Sequence, residues 1–271
     1  MSLQLYFDGT EFPVKVFNFS GGEVQVQLPK NIPNTSIANI IANLHSSDDV
    51  MALLMLTSAL RNVFTSETKI FLTMPYIPYA RQDRVCGEGE ALAIKVFCDL
   101  INSQKYFGVE IWDSHSDVAI ALLNNCYHRE QPDLLKDLYF DKENTILVSP
   151  DAGANKKIFK VAKELGFKEV VRADKTRNVT TGEITGTVVY CENVGAKDFL
   201  IVDDICDGGR TFIELAKVLR PLTTGKIILY VTHGIFSKGM NVFDTLIDGI
   251  YCANPFNKEY YKPFTNLMTK G

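Results

Sequence analysis

The chain reads as an α/β protein of two domains, each a mainly parallel sheet with helices on both faces. Short, nearly continuous apolar runs at 69–74, 145–148, 199–202 and 226–231 alternate with stretches of helical spacing. Such runs suit strands buried on both sides, as crossover helices require. A length of 271 residues fits one large domain or two of ordinary size. The polar, mixed stretch 124–143 marks the border, which predicts domains at 1–135 and 136–271.

Residues 3–7 and 14–19 read as short strands around the turn Asp8-Gly9-Thr10, and 24–28 alternates with period two, as a strand with one polar face does. Residues 36–44 and 48–62 carry helical spacing, the second with Ser47 or Asp48 placed to cap it. A strand at 69–74 is closed by Pro75 and Pro78, followed by a helix at 91–102 and a strand at 109–112. The second half repeats the alternation: strand 145–148, helix 154–165, strand 169–171, a polar segment 172–187, strands 188–190 and 199–202, helix 212–220, strand 226–231.

Composition narrows the class. Apolar residues make up 46% and charged residues 22%, enough for a proper core. Net charge is 28 − 32 = −4, so no basic field invites nucleic acid or an anionic membrane. The six cysteines are scattered without a Cys-x-x-Cys pair, which disfavours zinc and a disulfide framework. The N-terminus lacks the basic start and long apolar run of a signal peptide, and the greasiest helical stretch, 50–60, is too short to span a bilayer. A soluble, cytoplasmic protein is expected.

The chemistry gathers where strands end. Residues 199–202 lead into the paired acids Asp203 and Asp204, then Asp207-Gly-Gly-Arg-Thr211 and a helix. A strand end meeting a helix N-terminus in an open α/β sheet is the usual ligand crevice. Free N–H groups and the helix dipole favour a phosphate there, and the two acids suit sugar hydroxyls or a hard divalent cation. Polar clusters follow five other strands: Arg81-Gln-Asp-Arg84, Asp113-Ser-His115-Ser-Asp117, Ser149-Pro-Asp151-Ala-Gly153, Arg172-Ala-Asp-Lys175-Thr-Arg177 and Thr232-His-Gly-Ile-Phe-Ser237. Alone, each reads as a solvated loop, and Ser149 to Gly153 as an Asx turn. Six at the same end of their strands point to one site.

Tyr-Ala-Arg-Gln-Asp-Arg (79–84), Ser-Pro-Asp-Ala-Gly (149–153), Val-Asp-Asp-Ile-Cys-Asp-Gly-Gly-Arg-Thr (202–211) and Thr-His-Gly-Ile-Phe-Ser (232–237), with Phe19-Ser-Gly-Gly-Glu23 before them, resemble ribose-phosphate pyrophosphokinases in the family's order. The resemblance implies two phosphoribosyltransferase-like domains, the first on the ATP side and the second on the ribose-phosphate side. It also implies transfer of the β,γ-diphosphoryl group of ATP to the C1 hydroxyl of ribose 5-phosphate, with Mg2+ as cofactor. By position, Arg81, Gln82, Arg84 and His115 would grip ATP, and Phe19 and Glu23 would reach its adenine from an adjacent subunit of a dimer or hexamer. His115, Asp151 and Asp203 would hold metal or its waters. Lys175 and Arg177 match the family's catalytic Lys-x-Arg, with His115 beside the reacting groups, and 178–187 would be a closing loop. Asp203 and Asp204 would hold ribose hydroxyls, and Asp207, Gly208, Gly209, Arg210 and Thr211 the 5-phosphate.

The sequence departs from the family pattern in several places. The chain is shorter than typical members, and Gly87-Glu-Gly-Glu90 lacks the usual Ser-Arg-x-Pro-like run. Gly21 stands where an Asn or Asp would help read adenine, and Asp113-Ser-His-Ser116 replaces Asp-Leu-His-Ala. Asp207-Gly-Gly-Arg-Thr211 replaces Asp-Thr-x-Gly-Thr, which removes a hydroxyl, opens space and adds an arginine fork suited to bidentate phosphate binding. An acceptor with a larger 5-substituent, such as ADP-ribose, is therefore a second expectation. A non-catalytic homologue and a phosphoribosyltransferase proper are the remaining alternatives.

Overall fold

The computed structural model describes residues 3–65, 67–177 and 184–257, with the backbone alone at 175–177, 184 and 185. The chain divides into two units, 1–129 and 130–271.

In the first unit, β1 (Leu3–Phe7), β2 (Thr10–Phe12), β5 (Ile37–Ala42), β6 (Lys69–Met74), β7 (Gly108–Trp112) and β8 (Cys126–Arg129) form one sheet in the order β2-β1-β5-β6-β7-β8. Strands β5 to β8 run parallel, and β1 is antiparallel to both its neighbours. A separate hairpin joins β3 (Lys15–Asn18) and β4 (Val24–Gln27). Helix α1 (Ser47–Val63) starts at Ser46, not at the expected Ser47 or Asp48. The Ser46 hydroxyl accepts from the Asp49 N–H at 3.2 Å while Asp49 Oδ2 accepts from the His45 N–H at 3.0 Å, a reciprocal cap. Its stripe Ala52, Leu53, Leu56, Thr57 and Leu60 is buried at helical spacing. The hydroxyls of Thr57 and Tyr106 meet at 2.6 Å in the interior. Helix α2 (Ala93–Ser103) buries Ile94, Phe97, Cys98 and Ile101, and the short α3 (Asp117–Leu122) follows β7.

Residues 36–44, expected to be helical, form β5 instead. Alternate residues Ala38, Ile40 and Ala42 are fully buried, and Ile40 pairs with Leu5 of β1 and Leu72 of β6. The isoleucines satisfy both periodicities, and pairing on two sides decides for the strand. The sequence reading also missed β2, α3, β8 and α4 (Gln131–Leu135), all short, and the last strand, β14 (Gly249–Pro255).

The second unit's sheet has the order β11-β10-β9-β12-β13-β14, from β9 (Thr145–Ser149), β10 (Val170–Arg177), β11 (Ile184–Val189), β12 (Asp198–Cys206), β13 (Ile227–Gly234) and β14. Only β10 and β11 pair antiparallel, so much of the expected polar segment 172–187 is a hairpin rather than a loop. Helix α5 (Asn155–Leu165) links β9 to β10 on one side, and α6 (Arg210–Leu219) links β12 to β13 on the other. Right-handed crossovers leaving in opposite directions place α5 and α6 on opposite faces. Between β9 and β12 the strand order therefore reverses, which is the topological switch point of an open α/β sheet. Among the described residues no helix is long and apolar enough to cross a membrane.

Candidate active site

In the first unit, polar residues collect beyond β6 and β7. Tyr79 adopts a left-handed conformation (φ 65°), and its carbonyl accepts the Gln82 N–H at 2.8 Å, closing a tight turn. Arg81, Gln82 and Arg84 are exposed around it. Asp83 anchors this loop: Ser116 donates to its carboxylate, which with Arg84 Nε at 3.1 Å holds the acid below the usual carboxylate range. The same Ser116 hydroxyl accepts the Val118 N–H at the start of α3. Ser114 donates its hydroxyl to the Ser116 carbonyl at 2.9 Å and its N–H to His128 Nε2 at 3.0 Å. The two serines that replace the family's apolar residues therefore rigidify the turn on which exposed His115 sits, and they join it to the Arg81–Arg84 loop. Sequence reasoning gave no role to Asp83, Ser116 or His128. A carboxylate next to an exposed arginine looks like any surface pair until the serine is seen to reach it.

On the hairpin, Phe19 is 56% exposed and meets Phe17 edge-on at 5.5 Å. The Glu23 carboxylate folds across the turn, its Oε2 2.5 Å from where a Cβ on Gly21 would lie. An Asn or Asp at 21 would displace it, so Gly21 permits this placement of Glu23.

In the second unit the switch point gathers three acids. Asp151 follows β9, and its Oδ1 accepts the Gly153 and Ala154 N–H groups at 3.0 and 3.2 Å, the Asx arrangement that starts α5. Asp203 and Asp204 lie within β12, which continues to Cys206, four residues past its expected end. Burial first, then the neighbouring Asp204 carboxylate and Asp151, push the Asp203 acid well above its ordinary range. Asp204 is buried, and Lys157 of α5 donates to its Oδ2 at 2.9 Å. Lys157 was not foreseen, since spacing cannot show which lysine of a Lys-Lys pair turns back to the sheet.

The phosphate-loop candidate follows. Gly209 (φ 78°) is the residue before α6, and a Cβ there would lie 2.7 Å from Phe243 Cε1 and closer still to Cζ. Only glycine fits both the angle and the space. Helix α6 has no side-chain cap and no acid in its first turn. The Ser237 hydroxyl donates to Asp207 Oδ1 at 2.7 Å and its N–H to the Asp207 carbonyl at 3.1 Å, clamping the loop after β13 onto this one. Gly208 is half-buried, with Lys238 Cγ 3.5 Å and Ser237 Oγ 3.7 Å from a Cβ built there; Arg210 is exposed and Thr211 half-buried. His233 is not at this surface: it is buried, its Nδ1 3.2 Å from Asn254 Nδ2. Lys175 and Arg177 pair through β10 with Thr187 and Ile184 of β11. Their side chains lie outside the described residues, as do residues 178–183 of the expected closing loop.

Residues 6–104 match the family model for the N-terminal domain of ribose phosphate pyrophosphokinase, and 128–244 match the phosphoribosyl transferase domain. The ribose-phosphate pyrophosphokinase of Haemophilus influenzae is 30% identical over 230 residues, 82% of this chain and 71% of that protein. That of Shewanella oneidensis is 29% identical over 258 residues, 91% and 80% of the two chains. The crystal structure of phosphoribosylpyrophosphate synthetase from Mycobacterium smegmatis superposes with a TM-score of 0.77, covering 95% of this chain and 86% of that one. At 21% identity it speaks for the fold. Two domain models in tandem, relatives matched along most of their length and a shared α/β architecture lead to one assignment: the chain belongs to the ribose-phosphate pyrophosphokinase family of enzymes.

Proposed function

We propose that the enzyme transfers the β,γ-diphosphoryl group of ATP to the C1 hydroxyl of ribose 5-phosphate, forming 5-phosphoribosyl 1-diphosphate and AMP. The observation that carries this reading is the second unit's crevice. Paired acids on β12 stand one loop away from an uncapped helix N-terminus, whose turn is held by Gly209 packed on Phe243. Asp203 and Asp204 would take ribose hydroxyls, and Asp207 to Thr211 the 5-phosphate. Arg81, Gln82, Arg84 and His115 would take ATP, with Phe19 and Glu23 serving the adenine of a neighbouring subunit in a homo-oligomer.

In the reaction the C1 oxygen attacks the β-phosphorus and gives up its proton. The bond from that phosphorus to the bridging oxygen breaks, and AMP leaves with the oxygen. Positioning and charge neutralisation dominate such transfers. Lys175 and Arg177 are the cations suited to the transferred group, and fixed positive charge is often the largest catalytic contribution.

Among the described residues no three or more His, Cys, Asp or Glu are arranged to hold a metal ion. The hard oxygen donors of Asp151 and Asp203 in the second unit nonetheless suit Mg2+, and in the first unit His115 would serve the ion or its waters beside ATP. This ion keeps its waters and substrate phosphates and takes one or two protein ligands. When bound it would neutralise phosphate charge.

The test supplies Mg-ATP and ribose 5-phosphate and counts AMP. One AMP per acceptor consumed is expected; ADP, or no turnover, would refute the reading. Lys175→Ala should lower turnover by about 100-fold or more with the fold intact. Unchanged turnover would remove Lys175 from the chemistry and favour a non-catalytic homologue. Consumption of 5-phosphoribosyl 1-diphosphate with a base, and none of ATP, would indicate a phosphoribosyltransferase.

A second acceptor is favoured by the rim of the phosphate loop. Gly208 without a side chain, exposed Arg210 and exposed Lys238, whose stem lies beside Gly208, provide charge for a ribose with a 5-diphosphoryl substituent, such as ADP-ribose. AMP release with ADP-ribose supports it, and turnover with ribose 5-phosphate alone excludes it.

A further inference from the structure

Lys157 is absent from every role assigned above, yet it makes a direct charged contact with one of the paired acids. Its Nζ is 2.9 Å from Asp204 Oδ2, with the lysine side chain 30% exposed and the aspartate 9%. Lys160 of the same helix turns outward, pairing with Glu130 and Glu164 near the surface. The Lys157 contact also crosses the switch point, since α5 belongs to the β9–β10 crossover and Asp204 to β12.

Successive strand residues leave on opposite faces, so adjacent carboxylates have no shared orientation of their own. Asp203 stays close to Asp204, its Oδ1 accepting the Asp204 N–H at 2.9 Å. An exposed salt bridge would mean little, but removing one partner of a buried pair is costly.

We propose that Lys157 is a positioning residue: it holds the Asp204 carboxylate in place from α5 and thereby sets how the Asp203–Asp204 pair meets the acceptor's ribose hydroxyls. The proposal rests on the acceptor reading above. Residues that orient a ligand-binding acid commonly matter by about 10–100-fold when removed.

The experiment uses the full chain with whichever acceptor releases AMP, in a double-mutant cycle of Lys157→Met, Asp204→Asn and both together. Acceptor binding by titration calorimetry without ATP is read beside KM and kcat. Lys157→Met should weaken acceptor binding by about 10–100-fold, leave the KM for ATP unchanged, and be largely rescued by Lys157→Arg. The double variant should be no worse than Asp204→Asn alone. Multiplying losses would mean that Lys157 touches substrate directly, and unchanged acceptor binding would mean that it does nothing here; either overturns the proposal. Should Lys157→Met fail to fold, Lys157→Gln replaces it in the same cycle. Failure of the wild type to bind any acceptor refutes the acceptor reading and the proposal together, whereas wild-type binding with an indifferent Lys157→Met refutes the proposal alone.

Discussion

Asp151 has one carboxylate and two uses. Its Oδ1 takes the Gly153 and Ala154 N–H groups of the turn that leads into α5, while its charge contributes to the acid cluster around Asp203. Two variants separate these. Asp151→Asn keeps an accepting oxygen and removes the charge, so turnover should fall with little change in unfolding free energy. Asp151→Ala should lose turnover and also about 1 kcal/mol of stability for the lost turn hydrogen bonds. Denaturant unfolding beside the AMP assay reads both, and equal stability of the two variants would dismiss the contribution of the turn. Asp203 carries the opposite trade. Its acid is raised in the fold, so the folded protein binds a proton that the unfolded chain releases. Stability is then full below the ordinary carboxylate range and falls as pH rises through the raised value. Asp203→Asn should therefore unfold at higher denaturant near neutral pH while losing activity, and a variant no more stable than wild type would contradict it. At this scale the sequence was informative wherever residue type alone implies chemistry, as at His115 or the paired acids. It was silent on Lys157 and Ser116, whose roles are made by side chains distant in sequence.

At the scale of elements, apolar periodicity located most strands and the long helices, and it failed where two periods coincide. The isoleucines of β5 fit a helix as well as a strand, and only the presence of β1 and β6 on either side resolves them. Short elements such as β8 and α3 carry too few residues to show a period. The phosphate loop was legible as a strand-to-helix turn, but its reliance on Phe243 was not, because that contact arrives from beyond the next strand. Helix α1 meets the approach to β7 through the Thr57–Tyr106 contact, where burial pushes the phenol up to about 12. An unfolded tyrosine titrates near 10, so this contribution to stability is intact below about pH 10 and is lost as pH rises toward the folded value. Tyr106→Phe should flatten that alkaline decline and cost about 1 kcal/mol near neutrality for the lost hydrogen bond. Urea titrations at neutral and alkaline pH measure both, and an unchanged alkaline decline would refute the assignment.

At the scale of the molecule, each unit has its own buried core, and the proposed substrates divide between them by chemistry: cations and amides on the first, paired acids and a helix N-terminus on the second. If Phe19 and Glu23 serve ATP held on an adjacent subunit, activity is a property of the assembly. Mixing Glu23→Ala with Lys175→Ala, each slow alone, should then restore turnover as subunits exchange, and a mixture no faster than its parts would place the adenine contacts within one chain. The wedge of Phe243 under Gly209 has a consequence for descent. It divides the proposed acceptor loop into a floor and a rim. Any side chain at 209 collides with the ring, and shrinking Phe243 first would leave a void in the core, so each first step toward a different floor lowers fitness. Arg210 and Lys238 are exposed around it, and a Cβ at Gly208 would meet only ordinary contacts, so substitutions there cost the fold little. If this loop holds the acceptor as proposed, lineages can exchange acceptors by rewriting the rim while inheriting the floor unchanged.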